Sequence, residues 1–252
     1  MKTKIALVTG GSRGLGKNMA LRLAEKGNDV IITYHSKKEE ANAVVAEIES
    51  KGQKAAALQL DVAQLNNFDD FLQQVSQTLK EKWNTDTFDM LINNAGTGAT
   101  IPLANVTEEN FDALLNVHFK GVYFLTQKSL LLMNDNGSII NISSGTTRFC
   151  NPGYSVYASM KGAIEVFTRY LAKELGPRRI RVNVLAPGAI ETDFNNATIR
   201  NNPQVKAMIA SNTSLGRVGE AKDIGGIVAF LCSDDAYWVN GQRIEASGGV
   251  WL

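Results

Sequence analysis

Short runs of almost unbroken apolar residues recur along the chain, separated by longer stretches in which apolar positions return every three or four residues. The runs IALV (Ile5 to Val8), DVIITY (Asp29 to Tyr34), AAALQL (Ala55 to Leu60), FDMLIN (Phe88 to Asn93), SIINIS (Ser138 to Ser143), RIRVNVLA (Arg179 to Ala186) and QRIEA (Gln242 to Ala246) read mostly as strands buried on both faces. Helical periodicity covers Gly14 to Lys26, Lys38 to Lys51, Leu65 to Trp83, Glu108 to Met133, Ser155 to Leu175 and Ala221 to Leu231. Seven strands joined by six crossovers predict an α/β chain, a doubly wound parallel sheet with helices on both faces. No repeat, low-complexity tract or linker-like shift in composition divides residues 1–252, so a single domain is expected. The stretch Asn195 to Ser214 is polar and rich in asparagine, and a mobile flap over a ligand site is expected at about residues 194–214.

Composition narrows the partners. The chain has 252 residues, 44% of them hydrophobic and 20% charged, enough to bury a full core. Twenty-six basic against 25 acidic side chains leave a net charge of +1, which argues against nucleic acid and anionic membrane and leaves a small molecule as the expected partner. Cys150 and Cys232 lack metal-ligand spacing and are too few for a secreted disulfide framework, so no metal and a reducing cytoplasm are expected. The opening MKTKIALVTGG holds four consecutive apolar residues before Thr9, too few for a signal peptide. No run reaches the roughly 20 apolar residues of a membrane span, and a soluble protein is expected.

The first predicted strand runs into TGGSRGLG, Thr9 to Gly16. Gly10, Gly14 and Gly16 permit a tight turn and close backbone approach, and the following helix aims free N–H groups at a bound pyrophosphate. A dinucleotide fold then places an acid at the end of the second strand to hold the adenosine ribose. The chain instead offers Tyr34, His35, Ser36, Lys37 and Lys38, with no carboxylate before Glu39. Hydroxyl and basic groups suit a ribose phosphate, and Arg13 is in reach of it, so NADP(H) is preferred over NAD(H).

The sharpest constellation is Ser144, Tyr157 and Lys161. Tyr157 and Lys161 are four apart and share a helix face, and Ser144 lies just past the fifth strand, where such sheets open their ligand crevice. A neighbouring ammonium stabilises phenolate, so Lys161 is expected to draw the Tyr157 pKa toward neutrality and make it a usable acid and base.

In order along the chain, TGGSRGLG, LDV (Leu60 to Val62), NNAG (Asn93 to Gly96), NISS (Asn141 to Ser144), YASMK (Tyr157 to Lys161) and PGAIETDF (Pro187 to Phe194) resemble the short-chain dehydrogenase/reductase family over essentially the whole length. The resemblance implies a Rossmann-type sheet and nicotinamide-dependent interconversion of carbonyl and alcohol. By the same resemblance Ser144 bonds the substrate oxygen and Tyr157 passes it a proton. Lys161 bonds the nicotinamide ribose and lowers the tyrosine pKa, and hydride comes from C4 of the reduced cofactor. Ser12 and Leu15 join the glycine loop as cofactor contacts, Asp61 and Val62 meet adenine, and Asn94, Ala95 and Gly96 line the adenosine ribose. Pro187, Gly188, Ile190 and Thr192 face the nicotinamide. Pairing of the two long helices between subunits is also implied, giving a homotetramer or a homodimer.

One departure from the family stands out. The family carries a catalytic asparagine three residues before a glycine in the helix preceding YxxxK, and counting back from Gly121 gives His118. The imidazole is expected either to bond that helix backbone or to join the proton relay as a group titrating near pH ~6.5. Arg148, Phe149, Cys150, Tyr154 and Phe194 are the expected substrate contacts, suiting an apolar or aromatic ketone or one with an anionic tail. Two alternatives stay open: a 3-oxoacyl-(acyl-carrier-protein) reductase, and a catalytically silent NADP(H)-binding sensor or scaffold.

Overall fold

The computed structural model describes residues 3–252. Strands β1 (Ile5–Val8), β2 (Asp29–Tyr34), β3 (Ala55–Gln59), β4 (Phe88–Asn93), β5 (Met133–Ile142) and β6 (Arg181–Pro187) alternate with helices α1 (Gly14–Glu25), α2 (Lys38–Glu49), α3 (Phe68–Trp83), α4 (Glu108–Leu115), α5 (Gly121–Ser129) and α6 (Ser155–Glu174). The chain then runs through β7 (Ile190–Glu191), α7 (Thr198–Asn201), α8 (Pro203–Ser211), β8 (Gly219–Glu220), α9 (Lys222–Cys232) and β9 (Arg243–Ala246).

Seven of these strands form one parallel sheet in the order β3-β2-β1-β4-β5-β6-β9, while β7 and β8 pair as a small separate ribbon. Val8 lies opposite Ile32 on one side and Ile92 on the other, which fixes the register of the centre. Strand order reverses between β1 and β4, and the crevice beyond their carboxyl ends is where such a sheet takes its ligand. Alternation along β1 divides the core: Ala6 and Val8 point to the layer of Met19, Leu23, Val44 and Val228, and Leu7 to that of Phe68, Phe71, Leu79 and Leu125. Burial on both faces explains why the strand reads as one apolar run. Leu7 is fully buried, and truncating it to alanine would cost about 2–5 kcal/mol.

Three stretches differ from the sequence expectation. The single helix expected over Glu108 to Met133 is two helices joined by a π-helical turn, Asn116–Lys120. It ends at Ser129 because Met133 pairs with Phe88 and the Leu132 carbonyl accepts from the Phe88 N–H at 2.8 Å. The apolar run Leu130 to Met133 satisfies helix and strand patterns alike, and only the pairing with β4 decides. Strand β6 starts at Arg181, since Arg179 adopts a left-handed φ of 54° that ends the preceding turn. Within residues 194–214, expected as a mobile flap, the chain forms helical turns. Asn202 caps α8 by accepting from the N–H groups of Gln204 and Val205 at 3.0 and 3.1 Å, and Pro203 fills its first position.

Candidate active site

Backbone packing builds the glycine loop. Gly10 has a φ of +65°, and a Cβ there would sit 2.9 Å from the Ala95 Cα. A Cβ on Gly16 would stand 2.1 Å from the Gly10 carbonyl oxygen, so α1 leaves the loop with no room for a side chain. Asn94 staples the turn, its Nδ2 donating to the carbonyls of Thr9 at 2.8 Å and Gly10 at 3.2 Å. Thr9 Oγ1 in turn accepts from the N–H groups of Asn94 and Ala95 at 2.9 and 3.0 Å. The side chain of Asn94 thus holds the loop, and Thr9 is a support that its place in the motif alone did not disclose. Helix α1 opens with no side-chain cap and no acid in its first turn, which leaves its leading N–H groups and positive dipole end for a phosphate.

At the end of β2, Tyr34 is buried, while His35, Ser36 and Lys37 are exposed and no carboxylate shares the turn. Asp61 stands beside them, with one oxygen 3.6 Å from His35 Nε2 and the other accepting from the Ala63 N–H at 2.9 Å. Arg13 is more than half exposed, 3.8 Å from Asp193, a loose pair that leaves its guanidinium able to swing to a ribose phosphate. The cradle, the free helix end and the cations beside β2 fit a nicotinamide dinucleotide carrying a 2′-phosphate. A cleft of about 300 Å³ adjoins the loop, lined by Gly14, Lys17, Thr192, Asp193 and Arg200.

Across the crevice, β5 and α6 bring Ser144, Tyr157 and Lys161 together. Ser144 follows β5 in an extended conformation, and its Oγ accepts from the Thr146 N–H at 3.2 Å with the Thr146 hydroxyl at 3.0 Å. Tyr157 and Lys161 lie on the buried face of α6 with Met160, Ile164 and Thr168. Lys161 donates to the Ile142 carbonyl at 2.7 Å, and its Nζ is 5.7 Å from the centre of the Tyr157 ring. Beneath them a buried amide ladder crosses the sheet, Asn93 donating to Asn141 and Asn141 to Thr168, both at 2.8 Å.

Burial corrects the expected proton affinities. It pushes the Tyr157 phenol up to about 12, the neighbouring Ser144 hydroxyl pulling the other way, so the lysine does not bring the tyrosine toward neutrality in this state. Burial likewise draws Lys161 down to about 8. Desolvation is the leading cause for both groups.

His118 sits inside the π turn and is 1% exposed. Its Nε2 lies 2.8 Å from the Thr97 carbonyl, which fixes the ring to the loop after β4 rather than to its own helix backbone. Its Nδ1 is buried without a protein partner, and the ring stands edge-on to Tyr157 with centroids 5.0 Å apart. Burial first, and the charge of Lys161 second, lower its pKa to about 3, so it does not titrate near 6.5 and is neutral at working pH. With Nε2 protonated toward Thr97, Nδ1 presents a lone pair. The turn around it needs Gly121, where a Cβ would lie 2.2 Å from the Val62 carbonyl oxygen, and Gly96, where one would lie 2.8 Å from the imidazole.

Aromatic rings gather on the outer side. Tyr154 and Phe194 stand 6.3 and 6.0 Å from the Tyr157 ring, and Phe149 packs on Trp251 at 4.7 Å. Arg148 is not the free cation expected there: it makes a fork to Glu245 at 2.8 and 2.7 Å and donates to the Val250 carbonyl at 2.7 Å. Cys150 is an exposed thiol on the same loop. Asn195 ties the segment after β7 to the site, donating to the Tyr154 hydroxyl at 3.0 Å and to Thr100 at 3.1 Å. Pro187 ends β6, Gly188 follows it against Ser247, and Ile190 and Thr192 lie on the way to Phe194.

A nucleotide cradle facing a buried tyrosine–lysine pair and a serine defines a nicotinamide-dependent oxidoreductase acting on carbonyl and alcohol groups. A family profile described as Enoyl-(Acyl carrier protein) reductase matches residues 10–251. The chain belongs to the short-chain dehydrogenase/reductase family. It is 40% identical over 250 residues to an uncharacterised oxidoreductase of Methylorubrum extorquens, covering 99% of this chain and 98% of the relative. It is 36% identical over 252 residues to the 3-oxoacyl-[acyl-carrier-protein] reductase FabG of Staphylococcus aureus, covering 99% of each. Among solved structures, the angucycline C-6 ketoreductase LanV with bound NADP superposes with a TM-score of 0.94 at 36% identity, covering 99% of this chain and 96% of that one.

Proposed function

We propose that this protein reduces a neutral, apolar or aromatic ketone to an alcohol with NADPH, using Tyr157 as the proton donor. The carrying observation is the pairing of Arg148 with Glu245 beside a set of rings: the one cation expected in the pocket is neutralised, and Tyr154, Phe194, Phe149 and Trp251 remain as walls. Flat apolar surfaces take flat apolar ligands, with a few polar groups setting orientation. The similarity to LanV, a ketoreductase by name, supports the same reading.

The chain's own groups divide the work. Ser144 Oγ donates to the carbonyl oxygen and orients it. Tyr157, held protonated by burial at about 12, transfers its proton to that oxygen as charge develops there. Lys161, fixed on the Ile142 carbonyl, stabilises the phenolate left behind and would hydrogen-bond the nicotinamide ribose. NADPH, when bound, supplies the hydride to the carbonyl carbon. Gly10, Ser12, Gly14, Leu15 and Gly16 would hold the pyrophosphate, and Arg13, His35, Ser36 and Lys37 would hold the extra phosphate. His118 does not enter the relay by protonation; it holds the Thr97 loop against Tyr157.

An acyl-carrier substrate is the second reading, favoured by the similarity to FabG. It calls for free cations around the mouth of the site. Arg178, bonded to Asp135 at 2.7 Å and to the carbonyl of Leu130 at 3.0 Å, lies at the amino ends of β5 and β6, on the opposite side of the sheet from that mouth. The silent-sensor reading has no support in the site, since Ser144, Tyr157 and Lys161 are all in place. We place the protein in a reducing cytoplasm, where Cys150 and Cys232 stay free; no described helix is long and apolar enough to cross a membrane. We assign it as a homotetramer, supported by the exposed apolar positions Phe111, Tyr123, Val166 and Tyr170 on α4, α5 and α6, which light scattering tests.

The functional test follows NADPH and NADH consumption with bicyclic aromatic ketones, aliphatic ketones and 3-oxoacyl thioesters. Highest kcat/KM with NADPH and an aromatic ketone is expected. Preference for the thioester carried on its protein would establish the second reading. Tight NADPH binding with no turnover on any ketone, aldehyde or thioester would establish the sensor.

A further inference from the structure

A line of alternating charges runs behind the site, centred on Arg243 and Glu165, to which the sequence motifs give no role. Arg243, at the start of β9, donates through Nε to Glu165 Oε1 at 2.8 Å, through Nη1 to Glu245 at 3.1 Å, and through Nη2 to Thr147 Oγ1 at 3.0 Å and the Ser144 carbonyl at 3.4 Å. Glu165 lies one turn beyond Lys161 on α6, and the same Oε1 also receives the hydroxyls of Ser143 at 2.7 Å and Thr147 at 2.8 Å. Glu245 completes the line to Arg148, with Ser247 donating to it at 2.7 Å. The Arg148 fork holds Glu245 ionised, its pKa down at about 2.

The line reaches both halves of the catalytic constellation. Ser143, Ser144 and Thr147 belong to the segment after β5, which carries the hydroxyl that meets the substrate; Glu165 belongs to the helix that carries Tyr157 and Lys161. Thr147 has one hydroxyl proton and two acceptors, Glu165 at 2.8 Å and the Ser144 carbonyl at 2.9 Å. The guanidinium resolves this conflict: when the proton goes to the carboxylate, Nη2 still faces the Ser144 carbonyl. The Glu165 and Arg243 side chains are 14% and 26% exposed, enough burial for the pair to be held in one geometry and for loss of either partner to strand the other.

We infer that Arg243 and Glu165 are positioning residues, which hold the Ser144 segment in register with the Tyr157 and Lys161 face of α6. Removing the guanidinium leaves the Glu165 carboxylate to draw the Ser143 and Thr147 hydroxyls without a counterweight, and the Ser144 hydroxyl moves off the line to the substrate oxygen. Displacements of about 1 Å at a reacting centre cost on the order of 100-fold in rate. The inference rests on the reading of Ser144 as the group that holds the substrate oxygen.

The experiment measures Arg243→Gln, Arg243→Lys, Glu165→Gln and Thr147→Val in the full-length protein, each alone and with Ser144→Ala. Readouts are kcat and KM for a ketone, the isotope effect with NADPH deuterated at the transferred position, the NADPH Kd by fluorescence, and Tm. Arg243→Gln is expected to lower kcat about 10- to 100-fold and raise the isotope effect, with NADPH Kd within about twofold. Arg243→Lys recovers part of the loss, and Arg243→Gln adds nothing once Ser144 is alanine. If Arg243→Gln fails to fold, Thr147→Val carries the same comparison. An unchanged kcat, or a loss that multiplies fully with that of Ser144→Ala, overturns the positioning role. An unchanged kcat in Ser144→Ala itself overturns the reading of Ser144 beneath it.

Discussion

The two sides of the crevice are built by different means. On the cofactor side, backbone lies on backbone: Gly10 against Ala95, Gly16 against the Gly10 carbonyl, with Asn94 and Thr9 bonding the turn shut. On the substrate side, rings and a bent segment make the walls. Asn195, Asn196 and Ala197 take left-handed φ values of 52°, 56° and 54° in succession, and Phe194 is 43% exposed. A left-handed alanine costs roughly 1–2 kcal/mol, and the bonds of Asn195 to Tyr154 and Thr100 offset it. The side that must hold a constant ligand is fixed by exclusion of side chains. The side proposed to set substrate choice is fixed by side chains that can be exchanged.

The contrast breaks first at Gly16. Gly16→Ala places a Cβ on the Gly10 carbonyl, and NADPH affinity is expected to fall by more than about 100-fold, read by fluorescence titration, or the fold to be lost. His118→Asn probes the seam between the sides. The folded histidine has a pKa of about 3 against 6.5 for the free side chain, so the unfolded chain binds the extra proton between these values. Stability should fall as pH drops through that window, by up to about 1.4 kcal/mol per pH unit for this group alone. Urea unfolding from pH 7 to 4 should show a shallower slope in His118→Asn than in the wild type. At pH 6 to 8 the kcat profile should not move between the two, because the imidazole is neutral throughout.

Phe194→Ala is a smaller change confined to the substrate side. It should raise KM for an aromatic ketone about tenfold and leave the NADPH Kd within a factor of about two; an equal loss of both would mean that the two sides are one unit. Adjacent glycines on α9 give the finest comparison. Gly225→Ala drives a Cβ to 2.2 Å from Asn18 Oδ1 on α1, behind the cofactor loop, and should destabilise by about 1–3 kcal/mol. Gly226 faces open space, and Gly226→Ala should stabilise by about 0.5–1 kcal/mol, both read from Tm.

The same division decided what the sequence made legible. Strands buried on both faces leave continuous apolar runs, and a backbone cradle leaves glycines at fixed intervals, so the sheet, Thr9 to Gly16 and Tyr157 with Lys161 were readable. The π turn at Asn116–Lys120 was not, because one extra residue in a helix barely disturbs its periodicity. Neither was the state of Arg148: a local pattern shows a cation, and only the fold brings Glu245, 97 positions away, to neutralise it. Arg243 and Glu165 carry no motif because their meaning lies in contacts between β9, α6 and the segment after β5. His118 stood out in the sequence, yet its proton affinity depends on burial that no spacing reveals.

The most direct test of the account compares wild type with Tyr157→Phe for NADPH-driven reduction of an aromatic ketone, with NADPH binding measured in parallel. The expected result is a loss of kcat on the order of 10²–10⁴-fold with NADPH affinity retained. Turnover of the Phe variant at the wild-type rate would contradict the assignment of Tyr157 as the proton donor.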